Sequence, residues 1–423
     1  MSTCILWFRN NLRVADNAPV AYAYANFDRV IPIVFWDDAS LETIAGELPL
    51  GAHRLQFLRE SVEDLSERFE DAGSKLFVLD KQEVDIVELA KEVHAKAIIG
   101  PALQAYDETQ EEASISKQAS AAGIQTKWLR ERTLYTRSAL PFDLDGLPDV
   151  FTKFRKLVEK RSRVEHPIEE ADITPLDNLP GFTEALWQGA PVEHDERTAV
   201  PLKGGSRAAW DQIDYYVWEN ELILSYKETR NGLLGRDYSS KFSAYLSLGC
   251  ISAREIFHEV QRFEDEVEGN ESTYWLFFEL LWREYFQWIA LKHGKDLFLP
   301  LGLQPDKPLK GGFNAKAFAR WKDGATGDAF VDANMKELAA TGFMSNRGRQ
   351  NVASYLVHDM GLDWRSGAAY FESQLIDYDP ASNYGNWLYN AGRGNDPRPF
   401  RKFNTAFQAE RYDPNGEFVA AWQ

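Results

Sequence analysis

The sequence predicts an α/β unit built on a parallel sheet, followed by an all-helical unit. Two observations lead there. From the N-terminus to Leu129, short apolar, β-branched runs alternate with helical patterns, which is the signature of βαβ units. After Ser206 strand signals vanish and only helical periodicity remains. At about 150 residues per domain, 423 residues suit two to three such units and need no staples to bury a core.

The expected strands are Cys4–Phe8, Arg29–Phe35, Lys75–Leu79, Ala97–Gly100 and Gln125–Leu129. Helices are expected between them at Ala18–Tyr24, His53–Ala72, Ile86–His94 and Thr109–Ala122. The second of these sets Leu55, Leu58, Val62, Leu65 and Phe69 at 3–4 residue spacing, a single apolar stripe. From Thr133 to Gly205 prolines recur and Glu169-Glu170-Ala171-Asp172 adds an acidic patch, so a connector draped over the surface is predicted, with one helix over Val150–Glu159. Its Lys153, Arg155, Lys156, Lys160, Arg161 and Arg163 read as a solvated face. Further helices are expected at Arg207–Glu219, Ala253–Glu264, Thr273–His293, Ala315–Arg320, Phe330–Thr341, Gln350–Met360 and Trp364–Ile376. The implied division is 1–131, a connector 132–204, and a helical unit 205–423.

Composition narrows the function. Two cysteines, Cys4 and Cys250, make neither a disulfide framework nor a thiolate metal cage, so a reducing compartment and no metal are expected. A net charge of −18 argues against indiscriminate coating of nucleic acid while leaving room for a local basic groove. No signal-like start and no charge-free apolar run of about 18 residues is present, so a cytoplasmic chain without membrane spans is expected. There is no Walker-type loop and no GxGxxG after the first strand, which argues against a nucleotide triphosphatase and a nicotinamide dehydrogenase. The 13 Trp, 17 Tyr and 26 Phe are enough to build a core, a pocket for a planar cofactor or an electron path.

Four blocks carry candidate chemistry. Asp237-Tyr238-Ser239-Ser240-Lys241-Phe242-Ser243 offers hydroxyls and a cation to phosphate oxygens, or is a Ser-rich capping loop. Glu279, Trp282, Arg283 and Phe286 share one helix face, either as an ion-paired core or as a flat pocket wall. The block Thr341–Asn351 supplies Asn346, Arg347, Arg349 and Gln350. The fourth, Asp377–Asn390, is either a turn-rich loop capped by Asp and Asn or a site in which Asp377 or Asp379 opposes Arg349 and Asn383 offers its amide to a ring nitrogen.

These blocks, with Leu6-Trp7-Phe8-Arg9-Asn10-Asn11-Leu12-Arg13-Val14-Ala15-Asp16-Asn17, Val150-Phe151-Thr152 and Trp282-Arg283-Glu284-Tyr285-Phe286, resemble the photolyase/cryptochrome family. Tyr226–Arg230 followed by Asn231-Gly232-Leu233-Leu234-Gly235, with Gln350 and Tyr389, is most similar to its cryptochrome-DASH branch. The resemblance implies a Rossmann-like first unit and FAD held in the helical unit. It assigns Tyr226, Ser239, Ser240, Lys241, Phe242 and Ser243 to the diphosphate and ribitol, and Arg283, Asn346, Arg349, Asp377, Asp379 and Asn383 to the flavin.

It further implies light-driven repair of cyclobutane pyrimidine dimers. Glu279 would hydrogen-bond the lesion, Trp282 and Tyr389 would stack on it, and Asn346 and Gln350 would complete the pocket. The residues at 346 and 350 are not the histidines of (6-4) repair, and Gln350 with Tyr389 favours single-stranded DNA, since a more polar pocket repays less of the cost of flipping from a duplex. UV-damaged DNA is the implied partner, with Arg347, Arg393, Arg398, Arg401 and Lys402 as its local positive groove and a monomer expected. Trp387 and Trp364 fit the first two members of the family's electron relay, but the third position falls on Gly311, so Trp321 or a nearby Tyr finishes the path or photoreduction is slow. The branch commonly adds methenyltetrahydrofolate as an antenna, for which Asp107 or Glu108 is the candidate carboxylate, unless it merely caps its helix. The alternative of a different class is a blue-light photoreceptor that signals through a protein partner with the same flavin.

Overall fold

A computed structural model describes residues 2–36, 50–185, 191–198, 203–308, 311–395 and 402–423. Strands β1 (Thr3–Phe8), β2 (Arg29–Trp36), β3 (Phe77–Asp80), β4 (Ala97–Pro101) and β5 (Gln125–Leu129) form a wholly parallel sheet in the order β3-β2-β1-β4-β5. Helices α1 (Ala18–Asn26), α2 (Ala52–Asp71), α3 (Ile86–Glu92) and α4 (Tyr106–Ala121) lie between successive strands.

Central β1 is buried along its whole length, and its alternation decides which side chain meets which layer. Cys4, Leu6 and Phe8 join a core with Val20 of α1, Phe57 and Phe69 of α2 and the helical unit. Ile5 and Trp7 face a second core with Ile86, Leu89 and Ile115 of α3 and α4. A slip of one residue would exchange these two sets, so the apolar pattern fixes the register.

The connector carries α5 (Phe151–Arg161), which buries Phe151, Phe154 and Val158 and leaves its basic residues largely outside. The expectation of a surface-draped connector fails at its start. Arg132, Thr133, Leu134 and Tyr135 are buried, because Glu284 accepts from the Leu134 and Tyr135 amides at 2.7 and 3.3 Å while Arg132 reaches Asp379.

The helical unit runs through α6 (Ser206–Ile213), α7 (Tyr226–Thr229), α8 (Phe242–Leu248), α9 (Ala253–Glu266), α10 (Glu271–His293), α11 (Ala315–Lys322), α12 (Ala329–Thr341), α13 (Asn346–Ser354), α14 (Trp364–Gln374), α15 (Pro380–Asn390), α16 (Thr405–Tyr412) and α17 (Glu417–Ala421). Long α10 starts at Asn270, whose side chain accepts from the amides of Ser272 and Thr273, and its apolar residues continue around most of the helix, as befits a central one. The stretch Asp377–Asn390 is corrected from the loop alternative: Pro380 at the first turn and the Asp379 cap make most of it helix α15. The two units are sewn together beside β1. Arg254 grips Asp16 at 2.7 and 3.0 Å with both groups buried, and the Leu12 amide donates to the Leu248 carbonyl at 3.0 Å. Gly249 permits that approach. Its φ is +66°, and a Cβ there would lie 2.3 Å from the Asn10 carbonyl oxygen.

Candidate cofactor and lesion site

A cavity of about 520 Å³ opens in the helical unit, walled by the chain before α8, by α8 itself, α10, α13 and α15. It gathers residues that are far apart in sequence. Tyr226, Ser239, Ser240, Lys241, Phe242 and Ser243 line one part; Glu279, Trp282 and Arg283 come from α10; Asn346, Arg349 and Gln350 come from α13; Asp377, Asp379, Asn383, Trp387 and Tyr389 complete the wall. Trp364 is buried behind that wall, its indole donating to the Pro300 carbonyl at 3.1 Å.

Local rules aim these groups. Lys241 starts α8 in the left-handed conformation, φ +59°, which turns the chain sharply after the serines. The Lys241 ammonium is buried, donates to the Ser239 hydroxyl at 3.0 Å and lies 3.0 Å above the Tyr238 ring. Burial pulls it well below the ordinary lysine value, an effect that Glu337 opposes. Among the described residues no carboxylate forms an ion pair with it. A cation and three hydroxyls on the wall of a ring-lined cavity therefore fit a diphosphate, whose charge would restore the ammonium.

Of the two carboxylates in the fourth block, Asp377 is the one that opposes Arg349. The guanidinium donates to both of its oxygens, at 3.0 and 2.9 Å, and so presents a fixed donor fork at the cavity wall. Asp379 faces another way, accepting from Arg132 at 2.7 Å, from Gln287 at 2.8 Å and from the Ser382 amide at 2.7 Å. Burial opposes its charge, but Arg132, Arg283 and the Ser382 hydrogen bonds prevail and hold it below the usual carboxylate range. Arg283 donates to the Arg132 carbonyl at 2.6 Å, and burial, reinforced by Arg132, draws it down to about 10. Asn383 donates one amide N–H to the Ala368 carbonyl at 3.0 Å and lines the cavity wall.

On the same cavity wall Glu279 forms an ion pair with Arg230. Burial pushes its carboxyl above the ordinary range, against the pull of Arg230. Trp282 is stacked on Phe151 of α5 at 3.6 Å and 13°, and Tyr389 meets it edge-on at 5.7 Å. The connector helix thus backs the ring that lines the pocket.

The expected basic groove is altered. Arg393 is only 6% exposed and donates to the Lys307 and Pro308 carbonyls, so it braces the turn before them and cannot meet a phosphate. Arg398 and Arg401 lie outside the described residues. Arg347 donates to Asn231 and Gln350 at 2.8 and 3.0 Å, and Lys402 pairs with Asp359 at 2.5 Å. Asp107 and Glu108 both sit in the first turn of α4, and neither caps it, since the cap position is Ala105. Sequence reasoning missed Arg132 and Arg230 as partners of the site. Arg230 stood within a quoted motif, but its partner Glu279 lies 49 residues on.

Residues 4–174 match the family described as DNA photolyase, and residues 275–423 match the FAD binding domain of DNA photolyase. Cryptochrome DASH of Xenopus laevis is 44% identical over 434 residues, spanning 99% of this chain and 82% of that protein. The crystal structure of a Synechocystis sp. PCC6803 cryptochrome superposes with a TM-score of 0.95 at 40% identity, covering 100% of this chain and 88% of the other. An archaeal photolyase from Sulfolobus tokodaii, described with two FAD molecules, gives 0.79 at 26% identity over 99% and 90%. With a cavity whose donors suit FAD and likeness that runs through both units, the chain belongs to the photolyase/cryptochrome family, in its cryptochrome DASH group.

Proposed function

We propose that the chain repairs cyclobutane pyrimidine dimers under light, a carbon–carbon lyase reaction, and acts preferentially on single strands. One juxtaposition carries this reading: Glu279, Trp282 and Tyr389 share a cavity with Asn383, Arg349 and the Ser239–Ser243 segment. A flipped lesion bound by the first set would share that cavity with a cofactor held by the second. FAD bound there would supply the light-driven electron-transfer chemistry that opens the dimer.

The protein holds and orients. Lys241 and the seryl hydroxyls would hold the diphosphate, Arg349 and Asp377 would hold the ring system, and Asn383 would offer its side chain to the ring. The Glu279 carboxyl, kept protonated further up the pH scale by burial, exchanges its Arg230 ion pair for a hydrogen bond donated to a pyrimidine carbonyl. Trp282, backed by Phe151, gives a rigid flat surface, and Tyr389 closes its edge and excludes water. Leaving a duplex costs a few kcal/mol, and a rim of Gln350 and Tyr389 offers limited apolar surface in return, hence the single-strand preference.

Arg347 and Lys402 supply salt-sensitive phosphate contacts on an acidic body, with Arg398 and Arg401, between them in sequence, offered for the same role. Residues 1–131 serve as the antenna unit, 132–204 as the connector and 205–423 as the catalytic unit. Glu108, whose carboxyl burial raises, suits a folate antenna.

Illuminated repair of matched single- and double-stranded dimer oligonucleotides, with reductant present, tests the reading. Single strands are expected to be restored at least tenfold faster. Dimers that persist in both, with the flavin fully reduced, would replace repair by the photoreceptor reading.

A further inference from the structure

A short run of side chains ends on the backbone of the serine segment that lines the cavity. Gln212, in the last turn of α6, is 2% exposed, and its Nε2 donates to the Ser240 carbonyl at 3.1 Å. Its Oε1 accepts from Arg236 Nη2 at 2.9 Å. The Arg236 guanidinium carbon lies 3.3 Å from the centre of the Tyr215 ring, and the Tyr215 hydroxyl donates to Asp237, the next residue in the chain, at 2.7 Å. Tyr215 thus steadies Arg236 with its ring and the neighbouring carboxylate with its hydroxyl. Neither Gln212 nor Arg236 lines the cavity.

A side-chain amide has nearly the same shape either way round, so its partners decide which end points where. With Oε1 turned toward Ser240, two acceptors would face each other. A guanidinium has donors only, so Arg236 draws Oε1 to itself and leaves Nε2 for the carbonyl. The carbonyl so held belongs to the planar peptide that joins Ser240 to Lys241. Lys241 has a φ of +59°, and its ammonium donates to the Ser239 hydroxyl at 3.0 Å. Fixing that peptide plane therefore fixes the turn on which the hydroxyls and the ammonium are mounted. Stability alone is a poor reason for Arg236. Among the described residues no carboxylate forms an ion pair with it, and its buried Nε has no hydrogen-bond partner, which costs the fold.

We propose that Arg236 is a positioning residue for the cofactor: acting through the Gln212 amide, it sets the Ser240–Lys241 peptide so that the Ser239–Ser243 segment takes a diphosphate. The proposal rests on the FAD reading but on neither the lesion nor the photochemistry. Arg236 touches no part of the cofactor in this scheme, and its whole effect passes through one amide and one carbonyl. Removing Arg236 frees Gln212 to turn over, and removing Gln212 leaves Arg236 with nothing to act on.

The test is the dissociation constant of FAD for the full chain stripped of flavin, read from flavin fluorescence in the dark. Affinity should fall about fivefold in Arg236→Ala and about tenfold in Gln212→Leu. The double variant should bind no worse than Gln212→Leu alone, because Arg236 acts only through that amide. Arg236→Lys, again a donor only, should stay within about twofold of wild type. Gln212→Glu adds a signature that lost packing would not give. Its carboxylate has no proton for the Ser240 carbonyl, whereas its protonated form has one. Its affinity relative to wild type at the same pH should therefore rise as pH falls from about 7 to about 5, while the ratio for Gln212→Leu stays flat. Losses that multiply in the double variant, or wild-type affinity in both single variants, would overturn the proposal. Should Gln212→Leu fail to fold, the Gln212→Glu ratio decides, and a flat ratio there also overturns it. A wild type that takes up no FAD ends the cofactor reading and this proposal with it; FAD uptake that ignores the substitutions ends this proposal alone.

Discussion

Arg132 donates to the Asp379 carboxylate at 2.7 Å with both side chains buried, which fastens the start of the connector to the cap of α15. One side chain thus serves as helix cap and as ion-pair partner. Asp379→Asn keeps an acceptor for the Ser382 amide but leaves Arg132 and Arg283 without their shared carboxylate. A loss of about 3 kcal/mol is expected. Asp379→Ala also removes the cap and should lose roughly 1 kcal/mol more. Denaturant midpoints of the two variants check the order.

Glu279 and Arg230 give a prediction about pH. Repair requires the protonated carboxyl in this mechanism, so activity falls as pH rises through the Glu279 value. Arg230 is the group that pulls that value down. Arg230→Ala should therefore shift the alkaline limb of the repair profile to higher pH, while its loss as a lesion-site neighbour weakens binding. Glu279→Gln should flatten the limb and reduce repair tenfold or more, with flavin content unchanged. An unmoved limb in Arg230→Ala would remove Glu279 from the titration.

Much of this architecture was legible in the chain, and the parts that were not have physical reasons. Period-two and period-3.6 patterns are local, so the strands and most helices could be placed from the residues themselves. Helix α15 was harder to read, because Asp, Pro, Asn and Gly near its start are also the residues of turns. The site residues were recognised as blocks, yet their pairing was not. Only the folded chain separates Asp377, which meets Arg349, from Asp379, which meets Arg132 over 247 residues of sequence. Arg393 sat in a basic-looking segment, and nothing local announces that its guanidinium is spent on two carbonyls.

Gly311 makes a prediction about repair by design. A tryptophan placed there to supply a third relay ring should fail, because φ +83° is the left-handed region and the Cβ would strike the Gly361 carbonyl oxygen at 2.6 Å. Gly311→Trp is expected to lose at least about 1 kcal/mol from backbone strain, more from the clash, and to gain no photoreduction rate. Thermal midpoints and flavin bleaching measure both.

Glu337 carries the last prediction. It is buried on α12 with one carboxylate oxygen lacking a hydrogen-bond partner among the described residues, and burial pushes it up to about 8 against the pull of Lys241 and Arg349. A carboxyl raised in the folded state binds more protons there than in the unfolded chain. Its contribution to stability is therefore complete below the ordinary glutamate value near 4.5 and is lost progressively as pH rises through about 8. Glu337→Gln removes that dependence while keeping the shape. The thermal midpoint of the wild type should fall relative to that of the variant between pH 5.5 and 8. Parallel curves over that range would mean that the carboxylate is already ionised when buried, with Lys241 as its settled counter-ion.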